Sequence, residues 1–200
     1  MARLSLTKAS LTKEKTLLRT FQDVLPSLDM KRRQIGAERE KARRLLAEAM
    51  ERAAAIEPDV AARLPMVANP SIDLKNLVAI ATLEIGEENL MGTRLPVLQS
   101  LTFRVSAYGV LTKPFWVDSL VVVLQQAMEQ TIRIQVARRR VERLEQAERI
   151  VTQRYNLFDK VLIPRARENI SKISIFLADA ERAGVVNSKI AKRKKEHQTP

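Results

Sequence analysis

The 200-residue chain has no cysteine and only one histidine, and these two scarcities exclude most metal and catalytic chemistry. Without cysteine there is no disulfide framework and no thiolate for zinc, and one histidine cannot supply the ligands that such a site needs. That histidine, His197, lies in the tail KRKKEHQTP, where a solvated side chain is a better interpretation than a general base. The glycine-bearing stretch Gly86–Thr93 lacks the spacing and the lysine of a phosphate loop. We therefore expect no catalytic residues, no metal and no cofactor.

Aromatic residues, glycines and long apolar runs are also scarce. The chain has one Trp, two Tyr, five Phe and five Gly beside a charged fraction of 29%, a composition that favours extended helices over a thick globular core. Apolar runs such as Leu120–Leu124 are far too short to cross a bilayer, and the N-terminus lacks the apolar segment of a secretory signal. The sequence thus predicts a cytoplasmic protein without direct membrane insertion.

The net charge of +12 is unevenly distributed along the chain. Residues 1–56 contain 13 basic and 7 acidic side chains, residues 57–116 contain 5 and 6, and residues 117–200 contain 17 and 10. The basic excess of the two outer parts favours acidic partners of any kind, and charge alone does not identify which kind. Aromatic residues do not alternate with the basic ones, so we expect no nucleic-acid partner. The run Arg138–Arg140 lies beside Glu142 and Glu145, which is typical of a solvated helix face, with nucleic-acid binding as the alternative.

Two long tracts repeat apolar residues at alternating spacings of three and four. Such a heptad pattern keeps one stripe of a helix against a partner helix when the two helices supercoil. Eleven of fourteen positions are apolar in each tract, if Tyr155 counts as apolar. The stripes are Leu11, Glu14, Leu18, Phe21, Leu25, Leu28, Arg32, Ile35, Arg39, Ala42, Leu46, Ala49, Ala53 and Ile56, and then Leu120, Val123, Ala127, Gln130, Ile134, Ala137, Val141, Leu144, Glu148, Val151, Tyr155, Phe158, Leu162 and Arg165.

Some polar residues within the stripes have two interpretations. Buried polar groups fix register and orientation in some coiled coils, at a cost in stability. Long charged side chains can also lay their stems along the seam and keep their charged heads in water. From sequence both interpretations stay open for Arg32, Arg39, Gln130, Glu148 and Arg165.

Prolines set the predicted boundaries of the helices. Thr7 is suited to cap the first helix, and the helical pattern continues to about Glu57, where Pro58 should stop it. Pro26 lies inside this tract, so we expect a kink or a break near Val24–Ser27. The predicted organisation is an N-terminal coiled-coil helix over 1–57, a connector and hairpin region over 58–115, a C-terminal coiled-coil helix over 116–195 and a tail over 196–200.

The middle region from Leu77 to Val105 contains β-branched residues and two glycines around a polar tip. This pattern favours a β-hairpin that turns within Glu87–Gly92, with a helix over Leu74–Ile85 as the alternative. A proline precedes Phe115 and Trp116, and we expect both aromatic side chains to anchor the start of the C-terminal helix.

The predicted fold class is mainly α: a long antiparallel two-helix coiled coil formed by the N- and C-terminal helices, with a small central region containing a β-hairpin. Pairing should be antiparallel because both helices belong to one chain and their connector is short relative to their length. A helix of about 70 residues would extend on the order of 100 Å. Such a pair of helices would form a rod.

One segment carries a specific resemblance to a known family. Pro164 lies inside the strong helical pattern YNLFDKVLIPRARENI, and the tail that follows contains KIAKRKK. This segment, Tyr155–Lys195, resembles the D subunit of the V-type and A-type rotary ATPases, which has an N-L-F-x-K-V-L-I-P-R motif and a basic K-I-A-K-R-K tail. TRLPVL resembles the family's central G-V-x-L-P motif, LTKEKTLL and MKRRQI resemble its first helix, and LPSLDMKRRQ is more similar to the bacterial branch. Beyond the proline the stripe shifts by one residue, to Ile163, Ala166, Ile170, Ile173, Leu177 and Ala180.

The resemblance implies a non-catalytic rotor shaft, the central stalk of a complex that couples ATP synthesis or hydrolysis to proton or sodium transport. It implies pairing with the F subunit, a tip inside the ring of A and B subunits, and a base linked through the C (d) subunit to the membrane ring. The chain would then be cytoplasmic and peripheral on the inner face of the membrane. Nucleotide would bind to the A and B subunits.

The resemblance also implies where partners are met. Leu4–Leu18 and Ile170–Lys195 would form the tip, and the hairpin would lie toward the base. A bend at Pro26 and another at Pro164 are suggested as sources of asymmetry in the shaft. The candidate interaction residues are Leu4, Leu11, Leu18, Lys160, Ile163, Pro164, Arg165, Arg167, Ile170, Lys189, Lys192 and Arg193.

Three alternatives remain from sequence. A free-standing basic coiled-coil scaffold or nucleic-acid-binding protein would also use the charge of +12. A helical enzyme would need site chemistry that the residues do not offer. The gamma-type shaft of an F-type synthase has the same mechanical logic, but the LIPRARENI segment favours the D subunit.

Overall fold

A computed structural model of the chain describes residues 4–68, 77–106 and 114–196. These residues form two compact units. Unit 1 contains the described residues up to Arg32 and from Ile150 onward, and unit 2 contains those between Arg33 and Arg149. The elements are α1 (Lys8–Arg63), a 3₁₀ helix (Pro65–Ala68), β1 (Val78–Leu90), β2 (Thr93–Val105), α2 (Trp116–Leu157), a π-helical turn (Phe158–Leu162) and α3 (Ile163–Glu196).

Helix α1 begins at the predicted cap. The Thr7 hydroxyl accepts a hydrogen bond from the amide of Ser10 at 3.2 Å, and the Thr7 carbonyl accepts one from the amide of Leu11 at 3.0 Å. The first bond satisfies an amide that has no intrahelical acceptor, and the second is the first backbone bond of the helix. The prediction that Thr7 caps the first helix is therefore confirmed.

The predicted end of α1 before Pro58 was wrong, and so was a break at Pro26. The helix is unbroken from Lys8 to Arg63, so there is no break at Pro26, and Pro58 does not end it at Glu57. A proline removes one backbone hydrogen bond and costs about 3 kcal/mol inside a helix, which favourable packing on both sides can offset. A bend at Pro26 stays a prediction. The division of the chain into two coiled-coil helices, a connector and hairpin region, and a tail also stays a prediction.

Packing beyond Pro58 explains the longer helix. Val60 packs against a buried apolar cluster, and its carbonyl accepts a hydrogen bond from the amide of Leu64 at 2.8 Å. Asp59 and Arg63 form an ion pair at 2.7 Å one turn apart. The helix ends at Arg63, just before Pro65 starts the 3₁₀ helix.

In unit 1, the start of α1 packs against the end of α2 and against α3 in an antiparallel pair. The Asn169 amide donates to Glu14 at 3.3 Å, and the rings of Phe21 and Phe158 meet edge to face at 5.4 Å. Partners later in α1 therefore lie earlier in the second tract, which is the signature of antiparallel helices. Val151, Ile163, Ala166 and Ile173 are the buried residues of this seam in the second tract.

In unit 2, α1 and α2 form the same kind of pair. Two ion pairs join the helices, each at 2.6 Å: Arg39 with Glu148 and Arg43 with Glu145. Here too, residues later in α1 pair with residues earlier in α2. The buried residues at stripe positions are Ile35, Ala42 and Ala49 on α1 and Leu120, Val141 and Leu144 on α2. The antiparallel coiled-coil pairing predicted from the heptads is confirmed in each unit.

The predicted shift of the stripe near Pro164 is confirmed as far as Leu177, whereas Ala180, the last predicted position, is exposed. Ile163 and Ala166 are buried at 6% and 3% exposure, whereas Arg165, the position that the unshifted stripe would bury, is exposed. The π-helical turn Phe158–Leu162 lies just before the shift.

Residues 77–105 form the predicted antiparallel β-hairpin. Its turn is tighter than expected, because Leu90 already pairs with Thr93 and only Met91 and Gly92 connect the strands. Both connecting residues have positive φ, 51° and 80°, as a type I′ turn requires. The amide of Gly92 donates to the side chain of Asn89 at 2.9 Å, which further stabilises the turn.

An apolar cluster in unit 2 brings together the end of α1, the 3₁₀ helix, the start of the hairpin and the start of α2. Trp116 is 6% exposed within it, so its predicted anchoring role is confirmed. Phe115 is 86% exposed, so the same expectation for Phe115 was wrong. The amide of Val117 donates to the Pro114 carbonyl at 3.0 Å, and α2 begins at Trp116, so Phe115 lies just outside the helix that Trp116 starts. The buried members are Leu64, Leu77, Trp116, Val117, Leu120 and Val121.

Candidate protein-interaction surfaces

The candidate interaction residues divide into a seam and an exposed set. Ile163 is buried, and Leu4, Leu11, Leu18 and Ile170 are half-buried. These side chains therefore contribute to packing within unit 1, and a partner could contact only the exposed part of the half-buried ones. The side chains on the outside of the unit, which a partner could meet directly, are Lys160, Pro164, Arg165, Arg167, Lys189, Lys192 and Arg193.

An open groove of about 600 Å³ lies between the first turns of α1 and the first turns of α3. The exposed side chains of Lys13 and Arg165 border it, and the contact between Glu14 and Asn169 lies along it. This contact gives a role to Glu14, a polar residue in an otherwise apolar stripe, because the Asn169 amide satisfies its carboxylate. The groove thus presents basic side chains beside a satisfied polar pair.

The end of α3 is a second candidate surface. Every described side chain from 181 to 195 is exposed, including three aliphatic residues: Val185 at 56%, Val186 at 54% and Ile190 at 48%. Basic residues occupy its last turn, where they oppose the negative pole of the helix dipole. Isolated helical segments are marginal in water, so an apolar and basic helix end of this kind favours a partner.

Sequence reasoning named the basic residues of this surface and missed its apolar ones. Ile175 and Phe176 are 60% and 48% exposed, although they lie beside the buried Ile173. The signal was present, because apolar residues outside the 3-4 stripe must face away from the partner helix. We define the distal α3 surface as Ile175, Phe176, Val185, Val186, Lys189, Ile190, Lys192 and Arg193.

The electrostatic environment of α3 is mostly that of solvated charges. The hydrogen bond and the positive charge of Lys172, one turn away at 2.6 Å, lower the pKa of the Glu168 carboxyl. Asp179 and Arg182 form another local pair at 3.4 Å. Such exposed pairs within one helix contribute little to stability, so they leave the outward chemistry of the helix basic.

The polar stripe residues divide between the two interpretations. Arg32 pairs with Asp29 at 2.6 Å and lies 4.5 Å over the Tyr155 ring, which is a snorkelling arrangement with a cation–π contact. Arg39 and Glu148 pair across the helices with side chains only 26% and 23% exposed, which is the geometry of a register-fixing pair. A register role itself stays a prediction.

The remaining two polar stripe residues behave differently from each other. Arg165 is exposed at the edge of the groove. Gln130 has a buried side-chain oxygen that accepts no hydrogen bond from the described residues. Neither arrangement is that of an interhelical pair.

The arginine run contributes to the hairpin contact. Arg140 donates to Glu88 of β1 at 2.9 Å, and its side chain is 23% exposed. Leu95, which is fully buried, lies directly across the hairpin from Glu88. At least this arginine therefore joins α2 to the hairpin, a role that the sequence did not predict.

The part of the chain that the structure describes lacks two features, a metal-ligand group and a membrane-spanning helix. Among residues 4–68, 77–106 and 114–196, no three His, Cys, Asp or Glu side chains group as metal ligands would. No described helix combines the length and the apolar character needed to span a bilayer.

Comparison with known proteins gives one consistent family. The family described as the D subunit of ATP synthase matches residues 10–193. The chain is 28% identical over 192 residues to the V-type ATP synthase D subunit of Borreliella burgdorferi, covering 96% of this chain and 95% of that protein. It is 32% identical over 195 residues to the protein of that name from Chlamydia caviae, covering 96% and 94%. The protein of that name from Chlamydia muridarum is 31% identical, with 96% of both chains covered.

Proposed function

The chain belongs to the family of ATP synthase D subunits, and on that premise we propose that it forms the central stalk of a V-type ATP synthase. In this role it is non-catalytic and transmits torque between a ring of A and B subunits, where nucleotide binds, and an ion-translocating ring in the membrane. It would bind the F subunit along its helices and the C (d) subunit at its base. The chain would be cytoplasmic and held at the inner face of the membrane by the complex.

The observation that carries this proposal is the antiparallel helix pairing that occurs in both units. In unit 2 the seam contains fully buried Ile35 and Leu144 together with an interhelical ion pair. In unit 1 it contains fully buried Ile173 and the edge-to-face contact of Phe21 with Phe158. Supercoiled helices joined by continuous side-chain contacts resist bending and twisting, which transmission of torque requires.

Torque transmission also requires that the shaft contact each catalytic interface differently as it turns. A population shift among interfaces follows from such differential contacts. The distal α3 surface has the chemistry for this, because it combines exposed aliphatic side chains with basic ones. We assign it to the contact with the A and B ring.

Assembly tests this proposal directly. The full chain is co-expressed with A, B and F subunits, and the complex is isolated through a tag on A. We expect this chain to co-purify and to raise the ATPase turnover of the complex. The absence of binding to any of these subunits would overturn the proposal.

A matched pair of variants tests the assignment of the distal α3 surface. Val185→Asp combined with Ile190→Asp should weaken retention in the A and B ring at least tenfold while binding to the F subunit is kept. Val122→Asp, which alters a side chain that is 52% exposed in unit 2, serves as the control and should keep ring binding. Equal loss with both variants would contradict the assignment of α3 but not the stalk function.

A free-standing nucleic-acid-binding protein is the competing function, and salt separates the two. Counterion release makes nucleic-acid affinity fall steeply with salt, with a slope set by the number of phosphates contacted. We expect only weak and nonspecific binding of duplex DNA at about 0.15 M salt. Tight binding of DNA together with failure to bind A, B and F would favour the competing function.

A further inference from the structure

The π-helical turn Phe158–Leu162 lies where the spacing of inward-facing residues changes. Before the turn, Tyr155 contacts Arg32 and Phe158 contacts Phe21, a spacing of three residues. The heptad pattern would place the next inward residue at Leu162, four residues after Phe158, but Leu162 is only half-buried, and the buried residue is Ile163, five residues after Phe158. After the turn the spacing is regular again: Ala166 follows by three residues, and Ile173 follows by a further seven.

One residue is therefore in excess between two regular stretches of the seam. In a continuous α-helix each residue turns the helix by about 100°, so one extra residue would rotate the buried face of α3 away from α1 by that angle. Ile163, Ala166 and Ile173 would then turn out of the seam, and Leu162, Arg165 and Lys172 would take their places. The exposure of Ile163 and Ile173, 6% and 0%, excludes that arrangement.

The π turn absorbs the extra residue. The amide of Ile163 donates to the carbonyl of Phe158, five residues earlier, instead of four. A hydrogen bond of this i→i+5 type closes a turn that contains one residue more than an α-turn. Phe158 and Ile163 can therefore face the same partner helix although five residues separate them.

Pro164 marks the position of this turn. In an α-helix its ring would press against the carbonyl of Lys160, which would also lack its usual amide donor, because proline has none. A π turn immediately before the proline widens the helix at this place. The contact of Phe158 with Phe21 holds the other end of the turn against α1.

We propose that the π turn is a one-residue register insertion, required by the seam and fixed in place by Pro164. The seam determines that a π turn exists, and the proline determines where along the helix it lies. The two causes make different predictions, because removing the proline leaves the extra residue in place, whereas deleting one residue removes the need for the turn.

Four variants of the full chain separate the causes by thermal unfolding. Pro164→Ala should keep the π turn and stay within a few degrees of the parent melting temperature. Deletion of Asp159 together with Pro164→Ala should give a continuous α-helix in the correct register, with an equal or higher melting temperature. Deletion of Asp159 alone leaves a proline in an α-helix and should lower the melting temperature. Deletion of Arg139, an exposed residue in a regular stretch of α2, is the control and should lower it by about 10 °C or more, since it misaligns one side of the seam.

A cross-link reports the register independently of stability. Because the chain has no cysteine, Glu14→Cys with Asn169→Cys adds the only two thiols, at positions whose side chains are 3.3 Å apart. A short bifunctional thiol reagent should join them equally well in the parent, in Pro164→Ala and in the deletion of Asp159 with Pro164→Ala. Loss of the cross-link in Pro164→Ala would show that the proline, not the seam, produces the turn. A fall in melting temperature of the combined variant to that of the Arg139 deletion would overturn the register insertion itself.

Discussion

The ion pair between Arg39 and Glu148 should contribute measurably to stability, unlike most charge pairs of this chain. Its nitrogen and oxygen are 2.6 Å apart, and about three quarters of each side chain is covered, with exposures of 26% and 23%. We predict that Arg39→Met, which keeps the aliphatic stem, and Glu148→Gln, which keeps the shape, each destabilise the fold. The physical reason is that Arg39→Met leaves the Glu148 carboxylate beside the seam without this cation, and Glu148→Gln leaves Arg39 paired only with its more exposed neighbour Glu40, at 2.6 Å.

The magnitude follows from the degree of burial. Fully exposed pairs contribute about 0.2 to 1 kcal/mol, and breaking a fully buried pair costs about 3 to 5 kcal/mol. A pair that is three-quarters covered falls between these limits, so we expect each single variant to lose about 2 kcal/mol and the coupling between the two residues to be about 1 to 2 kcal/mol. The pair Arg52 and Glu48 is the matched control, because its side chains are 67% and 54% exposed at 3.3 Å. Its coupling should be below about 0.5 kcal/mol.

The assay is a double-mutant cycle by urea unfolding, followed by circular dichroism at about 222 nm. Each cycle is measured at about 0.1 M and 1 M salt, where the screening length falls from about 10 Å to 3 Å. The control coupling should vanish in high salt, whereas the Arg39–Glu148 coupling should largely persist. Equal couplings for the two pairs would refute the argument that burial makes the interhelical pair stronger and would leave snorkelling as the role of both side chains.

Three further predictions concern packing, the hairpin turn and pH. Leu144→Ala empties a fully buried position and should cost about 2 to 5 kcal/mol in urea unfolding, whereas Leu45→Ala, at 51% exposure, should cost less than about 1 kcal/mol. Gly92→Ala puts a side chain at φ 80° and should lower the melting temperature by a few degrees, and an unchanged value would contradict the type I′ turn. Lys172 lowers the pKa of Glu168, so this pair stabilises the fold above the usual glutamate pKa of about 4.3, and the contribution disappears as pH falls through the lowered pKa. Glu168→Gln should therefore reduce the loss of melting temperature between about pH 5 and 3, as measured by thermal scans across that range.

Much of the fold could be predicted because the residues buried between the paired helices repeat with a simple heptad period in the sequence. Ile35, Ala42 and Ala49 are separated by seven residues each, and all three are buried at positions that the heptad identifies. The pairing direction follows from the chain's connectivity. The hairpin was predictable because Gly92 and the β-branched residues around it are local signals.

The misplaced boundaries arise where long-range packing outweighs a local rule. Pro58 has the same local penalty in any helix, but here Val60 beyond it packs against a cluster contributed by distant parts of the chain. The error at Phe115 has a similar origin, because neighbouring residues at a helix start face different directions and only the partner surface decides which is buried. No local pattern distinguishes Phe115 from Trp116 in this respect.

Interaction residues were harder to predict than the fold, because one apolar residue type serves both packing and partner contact. Leu11 and Leu18 were identified as contact residues, yet their half-buried positions lie in the seam. Val185 and Ile190 look like seam residues of any helix, yet both are about half exposed. The position of a residue outside the stripe gives a signal, as for Ile175 and Phe176, but how much of the helix a partner covers depends on where the partner helix ends, and a sequence period does not contain that information.

The chemistry of the distal α3 surface favours a protein partner over a polyanion. Residues 181–196 contain six basic and two acidic side chains, so charge alone would suit nucleic acid as well as an acidic protein. Val185, Val186 and Ile190 are interspersed among them and are 48% to 56% exposed. A phosphate backbone cannot bury these aliphatic side chains. An acidic protein pocket lined with apolar residues can bury them, and this burial stabilises the complex by about 25 cal/mol per Å² of apolar surface. A partner that uses the whole surface must therefore satisfy both requirements, and binding to it should weaken less with salt than binding to DNA does.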